Sequence, residues 1–85
     1  MAKYEILFRP SVAKDTRQIP RGELKRILKR IDALRADPHP PGSVKLSGRD
    51  YYRIRQGDYR IIYEIIDFRL IVVVIKIGHR RDVYK

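Results

Sequence analysis

Residues 51–66, Tyr-Tyr-Arg-Ile-Arg-Gln-Gly-Asp-Tyr-Arg-Ile-Ile-Tyr-Glu-Ile-Ile, constrain the fold of this chain more than any other stretch. Apolar and polar residues alternate on both sides of Gln56-Gly57-Asp58, the period of a strand, and Gly57 supplies the backbone freedom that a short turn needs. The stretch therefore predicts a β-hairpin. A two-residue loop, whether Gly57-Asp58 or Gln56-Gly57, puts Tyr52, Ile54, Ile61 and Tyr63 on one face and Arg53, Arg55 and Arg60 on the other. An odd-numbered loop would send Arg60 in among the apolar residues instead. Like charges facing each other across strands destabilise a sheet by some tenths of a kcal/mol. A trio of guanidinium groups on one face is thus expected to serve an anion rather than the fold. A solvated strand face would more naturally carry Thr, Ser or mixed charges, and Glu64 on the same face neutralises one arginine at most.

Upstream, Tyr4 to Phe8 reads as a strand, and Pro10-Ser11 opens a short helix that has Ser11 as its cap and ends before Pro20. From Arg21 to Ala36, the residues Leu24, Ile27, Leu28, Ile31 and Leu34 recur at helical spacing. They predict an amphipathic helix with Lys25, Arg26, Lys29, Arg30 and Arg35 mostly outward. Asp37-Pro38-His39-Pro40-Pro41-Gly42 excludes regular structure and reads as a stiff connection to the hairpin. Leu70 to Ile75 reads as a strand buried on both faces, joined to the hairpin by a tight turn at Asp67-Phe68 and broken at Gly78. The expected order is β-α-α-β-β-β, an α+β fold whose antiparallel sheet carries both N-terminal helices on one face. The last strand runs antiparallel to its predecessor, so its end, near Lys76 and Ile77, is expected beside Tyr59 and Arg60. The tail then passes the hairpin turn, and Arg53, Arg55, Arg60, Arg80 and Tyr84 are expected to line one cleft.

At 85 residues the chain has room for one domain, residues 1–85, whose core buries roughly 60–65% of the unfolded surface. Its 20 Lys and Arg against 10 Asp and Glu leave a formal charge of +10, which predicts an anionic partner: nucleic acid, polyphosphate, an acidic protein or an anionic surface. Cysteine is absent, so neither a disulfide nor a thiolate zinc site staples the fold, and packing must hold it. The two histidines and the carboxylates lack metal-ligand spacing, and Ser47-Gly48 sits in no nucleophile elbow. The first ten residues lack the apolar core of a signal peptide, and the longest apolar run, Leu70 to Ile75, is too short to span a bilayer. A cytoplasmic protein without a membrane partner is expected.

The helix cations have an ordinary explanation as solvated helix formers that add field without specificity. Tyr51, Tyr52, Tyr59 and Tyr63 include at least two core residues. His39 in the proline loop is structural or idle, whereas His79, with a native imidazole pKa of about 6.5, is either a surface residue or a participant in proton transfer. Tyr84 either docks onto the sheet or stacks on a base.

Lys45-Leu-Ser-Gly48, Tyr52-Arg-Ile-Arg55, Gly57-Asp-Tyr-Arg-Ile-Ile-Tyr63 and Gly78-His-Arg-Arg-Asp-Val-Tyr84 occur in an order and spacing that resemble the RelE branch of the RelE/ParE toxin superfamily over nearly the whole chain. The resemblance implies the same architecture and the toxin half of a type II toxin–antitoxin pair. RelE-type members cut messenger RNA in the ribosomal A site. The ribose 2′-hydroxyl attacks the adjacent phosphate and leaves a 2′,3′-cyclic phosphate and a 5′-hydroxyl, with no metal or cofactor needed. By position, the resemblance implies that Arg53 and Arg55 lie near the scissile phosphate, Arg60 stabilises it, Arg80 serves as acid, and Tyr84 orients or stacks on the RNA. Lys45 and His79 stand behind these five. The residue types suit the chemistry, because a phosphorane transition state concentrates negative charge that fixed guanidinium groups stabilise more strongly than the ground-state diester.

One position departs from the family's best-known pattern. The residue proposed as general base is a lysine there and Arg55 here, and a guanidinium with a pKa above about 12 accepts protons poorly. Water or ribosomal RNA, His79 or Tyr84 are left to take the proton, or cleavage rests on electrostatic stabilisation alone. The implied partners are the ribosome, its mRNA and a small cognate antitoxin whose acidic C-terminal segment folds onto the basic and apolar surfaces. Two other functions fit the same fold: a ParE-like gyrase-directed toxin without nuclease activity, and a non-catalytic module that binds RNA through its basic face.

Overall fold

The alternation around Gly57 does form a hairpin. In the computed structural model, which describes residues 3–46, 48 and 50–79, that hairpin is part of a five-stranded sheet. The elements are β1 (Glu5–Phe8), α1 (Pro10–Thr16), α2 (Arg21–Asp32), β2 (Val44–Lys45), β3 (Tyr51–Gln56), β4 (Tyr59–Ile66) and β5 (Ile71–His79), and the sheet order is β1-β5-β4-β3-β2. This is the α+β fold expected, with one strand added and with a mixed sheet where an antiparallel one was expected. Val44 and Lys45 pair with Arg53 and Tyr52 as an extra edge strand, too short to carry a period in the sequence. β1 joins β5 in parallel, Glu5 facing Ile71 and Phe8 facing Val74, which makes the sheet mixed; the helices and the hairpin together form the long crossover that parallel pairing requires.

Pro10 occupies the first helical position of α1, where its missing N–H would have had no partner and its fixed φ favours the helix. The residue before the helix is Arg9, so Ser11 lies inside α1 and is not its cap. α2 runs from Arg21 to Asp32 and tightens into a 3₁₀ turn over Ala33–Arg35. Ile27, Ile31 and Leu34 go into the core with Val12 of α1, while Leu28, expected among them, is 42% exposed. Leu28 and Leu24 instead line a shallow apolar groove with Phe8 and Val12. The apolar stripe of α2 is wider than the strip of sheet it covers.

Against the helices lie Ile54 of β3, Ile61, Tyr63 and Ile65 of β4, and Val72, Val74 and Ile77 of β5. Each fully buried aliphatic side chain contributes roughly 1.5–3 kcal/mol before the cost of ordering the chain. Tyr63 is fully buried, donates from Oη to the Pro38 carbonyl at 2.8 Å, and stacks on Tyr52 with ring centroids 5.9 Å apart. It thereby pins the proline-rich connection to the core.

β5 departs from expectation in length, burial and register. Its connection from β4 is a 3₁₀ turn, Asp67–Arg69, closed by Leu70 in the left-handed region at φ 55°. Tyr4 Oη braces that turn by donating to Asp67 Oδ1 at 2.6 Å. Val72, Val74 and Ile77 of β5 are buried on the helix side and Gly78 is buried near its end; Ile71, Val73 and Ile75 are half-buried on the other face, which carries no helix among the described residues. Gly78 does not break the strand but pairs with Arg60, and β5 continues to His79, opposite Tyr59. Lys76 and Ile77 face Ile62 and Ile61. The register runs later than expected because the connection is longer than a tight turn and because β5 bulges. Tyr63 faces Val74 and Ile62 faces Lys76, leaving Ile75 as an extra residue.

Candidate active site

Residues directly opposite in neighbouring antiparallel strands project to the same side, so the register defines rows across the sheet. The hairpin loop is Gly57-Asp58, with Gly57 at φ 61°. Positive φ at the first of two loop residues is what a type II′ turn demands of glycine. A Cβ at this position would also stand 3.3 Å from Glu23 Oε2. The even loop sets the parity: Tyr52 and Ile54 face Tyr63 and Ile61 on the helix side, while Arg55 faces Arg60 and Arg53 faces Ile62 on the open side.

One row on the open side therefore reads Arg55, Arg60, Gly78, and the next reads Val44, Arg53, Ile62, Lys76. A third is Tyr51, Glu64, Val73, Leu7. Arg60 is 8% exposed, Arg53 is half-buried, and Arg55 is exposed. Gly78 brings no side chain to the place beside Arg60, and both residues are buried. Glu64 lies two positions along β4 from the residue opposite Arg53, the diagonal relation expected of a carboxylate that tempers one cation of the group.

The described structure thus brings Arg53, Arg55 and Arg60 together. Arg80 and Tyr84 lie outside the described residues. His79 is not on the arginine side: it pairs with Tyr59, and the two rings meet edge to face at 5.6 Å on the helix side. There they line a polar pocket of about 500 Å³ with Asp15, Gln18, Ile19 and residues 76–78 of β5. Asp15 reaches past the end of β1 and accepts a hydrogen bond from the Ile77 amide at 3.1 Å through Oδ2. Lys45 also belongs to the other side, opposite Tyr52, and its ammonium stands 4.0 Å from the Asp50 carboxylate in an exposed pair. Lys25, Arg26 and Lys29 of α2 are exposed as expected, whereas Arg30 is half-buried near Tyr63; Arg26 is 3.6 Å from Glu23, one turn back on the same helix.

A family model described as the ParE toxin of the type II toxin–antitoxin system parDE matches residues 6–84. The chain belongs to this toxin family. The toxin is 32% identical to a RelE-like toxin protein of Escherichia coli over 96% of its own length and 90% of the relative's. It is 30% identical to toxin RelE1 of Methanocaldococcus jannaschii, over 98% and 97% respectively. Among solved structures it superposes on the archaeal RelE–RelB complex of Pyrococcus horikoshii OT3 with a TM-score of 0.80 at 26% identity, covering 95% of this chain and 99% of that one. Its relatives are thus RelE toxins, and the fold is theirs.

Two residues of the toxin's open face were missed from sequence. Tyr51 begins the row of Glu64, and the 51, 53, 55 alternation alone could have placed it there. Lys76 was not accessible in the same way. With Val72 and Val74 inward, strict alternation makes residue 76 a core position, and only the bulge puts Ile77 inward and Lys76 outward.

Proposed function

We propose that the toxin is a ribosome-dependent endoribonuclease. It engages mRNA in the A site and directs the ribose 2′-hydroxyl onto the adjacent phosphate, giving a 2′,3′-cyclic phosphate and a 5′-hydroxyl and stopping translation. The observation that carries this reading is the Arg55–Arg60 pair, held face to face across β3 and β4 beside Gly78, with Arg53 in the next row. Like charges placed opposite each other cost a sheet stability, whereas the charge of a phosphorane is stabilised by them. Donors already fixed and partly desolvated need little reorganisation as charge develops on the phosphoryl oxygens. In this reading guanidinium groups supply the positive charge, Arg80 is the acid, and Tyr84 orients the RNA. The partners are the ribosome, its mRNA and a cognate antitoxin. The Pyrococcus structure is a RelE–RelB complex, and a net charge of +10 suits an acidic, amphipathic segment of an antitoxin partner. A ribosomal target puts the toxin in the cytoplasm.

The test is 5′-end mapping of mRNA after induction of the wild type and of an Arg60→Ala/Arg80→Ala double variant. The wild type is expected to arrest growth and to produce new 5′ ends inside translated coding regions. The double variant is expected to do neither while still binding the antitoxin. Cleavage that survives the double substitution refutes the reading. A gyrase-directed toxin is the second reading, favoured by the ParE description of the matching family model; a DNA-damage response without new mRNA ends would establish it. RNA binding with neither effect would mark a non-catalytic module.

A further inference from the structure

Among the described residues, the open face carries Lys76, whose charge sits on an amine and not on a guanidinium, and the fold makes a local exception to put it there. Without the bulge in β5, Lys76 would point into the core beneath the helices. The extra residue, Ile75, inverts the parity so that Ile77 is 2% exposed in the core and Lys76 shares a row with Ile62 and Arg53. Bulges concentrate where a sheet has to re-aim a side chain toward a site. Lys76 is half-buried, diagonal to Arg60 beside Ile62, and two residues before Gly78, which pairs with Arg60. Diagonal neighbours on one sheet face are within reach of long side chains.

We infer that Lys76 is the general base of the toxin, replacing the lysine that the Arg55 position lacks. The inference rests on the nuclease reading above. In the step assigned to it, the neutral Lys76 Nζ takes the proton of the ribose 2′-hydroxyl as O2′ bonds to phosphorus. The P–O5′ bond breaks, the 5′ oxygen takes a proton from the acid of that reading, and solvent restores the acid's proton and removes the one on Lys76. Arg53, Arg55 and Arg60 hold the phosphoryl charge throughout. A lysine amine can do this because its charge is a point on a flexible stem and is removable, which that of the guanidinium fork is not. The charged groups nearest Lys76 are Arg60 of β4 on the diagonal, Arg53 of β3 in the same row, Arg9, whose amide bonds the Val74 carbonyl, and Asp15 of α1, bonded to the next amide; Arg55, Glu64 and Glu5 lie further along the sheet.

The deciding experiment measures single-turnover cleavage on programmed ribosomes by the wild type, Lys76→Arg and Lys76→Met, across pH. General-base catalysis contributes about 10²–10⁴-fold, so both variants should fall by at least about 10²-fold and lose the limb of the pH profile that rises with deprotonation of the base. Their thermal melting and antitoxin binding should stay at wild-type values. Lys76→Arg keeps the charge and the length, so a variant that cuts at the wild-type rate overturns the assignment and leaves Lys76 as one more electrostatic contact. A Lys76→Met protein that keeps the rising limb overturns it equally. A wild type that does not cut at all defeats the nuclease reading itself, a result distinct from either.

Discussion

Arg60 is 8% exposed, on the side of the sheet that no helix of the described structure covers. A charge held at such low exposure interacts with an anion through less water than a surface cation does, which strengthens the attraction and its dependence on geometry. Arg55, directly opposite but exposed, retains more of its hydration and is expected to act through field more than fit. Arg60→Lys therefore separates charge from shape. It preserves the positive charge but loses the fork that grips two phosphoryl oxygens, and cleavage should fall about 10²-fold with antitoxin affinity unchanged. Arg55→Lys should cost under about tenfold, within the modest range of an exposed charge contact. Rate measurements on the two variants side by side check the contrast.

At the scale of elements, the hairpin and the bulge do separate jobs. The Gly57-Asp58 loop, with Gly57 at φ 61°, fixes which residues of β3 and β4 face the open side, and the bulge fixes it again for β5. On the helix side the same strands present Tyr63, whose phenol is pushed up to about 12 by burial. The neutral phenol is the form the fold favours, so this contribution is fully present below the ordinary tyrosine value of 10.0. It is lost as pH rises from there toward about 12. Wild-type stability should consequently decline over that alkaline window, by roughly 2–3 kcal/mol at most. Tyr63→Phe should lower stability at neutral pH by about 1 kcal/mol for the lost bond to the Pro38 carbonyl and flatten the alkaline decline. Chemical denaturation at a series of pH values measures both.

At the scale of the whole molecule, a charge of +10 on 85 residues attracts any polyanion, and non-specific affinity alone says little about the site. The salt dependence of binding discriminates. For a short RNA blocked by a 2′-deoxy sugar at the cleavage position, removing one phosphate contact should reduce the slope of log K against log salt by about 0.7. Arg53→Ala is expected to do so, whereas Arg26→Ala on α2, beside Glu23 in an exposed i,i+3 pair, should leave the slope nearly unchanged. Equal changes from both would mean that the RNA reads the overall field and not the arginine side of the sheet.

Local pattern was enough for the parts of this toxin that depend on near neighbours. The strand alternation of residues 51–66, the helical spacing of Leu24, Ile27, Ile31 and Leu34, and the positive φ demanded of Gly57 were all legible, because each is settled within one or two turns of chain. With them came the hairpin, α2, the α+β class and the shared face of Arg53, Arg55 and Arg60. Register between distant segments was not legible. His79 was expected near the arginines and meets Tyr59 on the opposite side; Gly78 was expected to end β5 and instead pairs with Arg60 within it. Both outcomes follow from the length of the 67–70 connection and from the one-residue bulge at Ile75. Because strand side chains alternate with period two, a single added residue exchanges inside for outside for every position after it. The side of the sheet on which Lys76 stands was therefore decided by tertiary pairing, where β5 had to keep Val72, Val74 and Ile77 in one core.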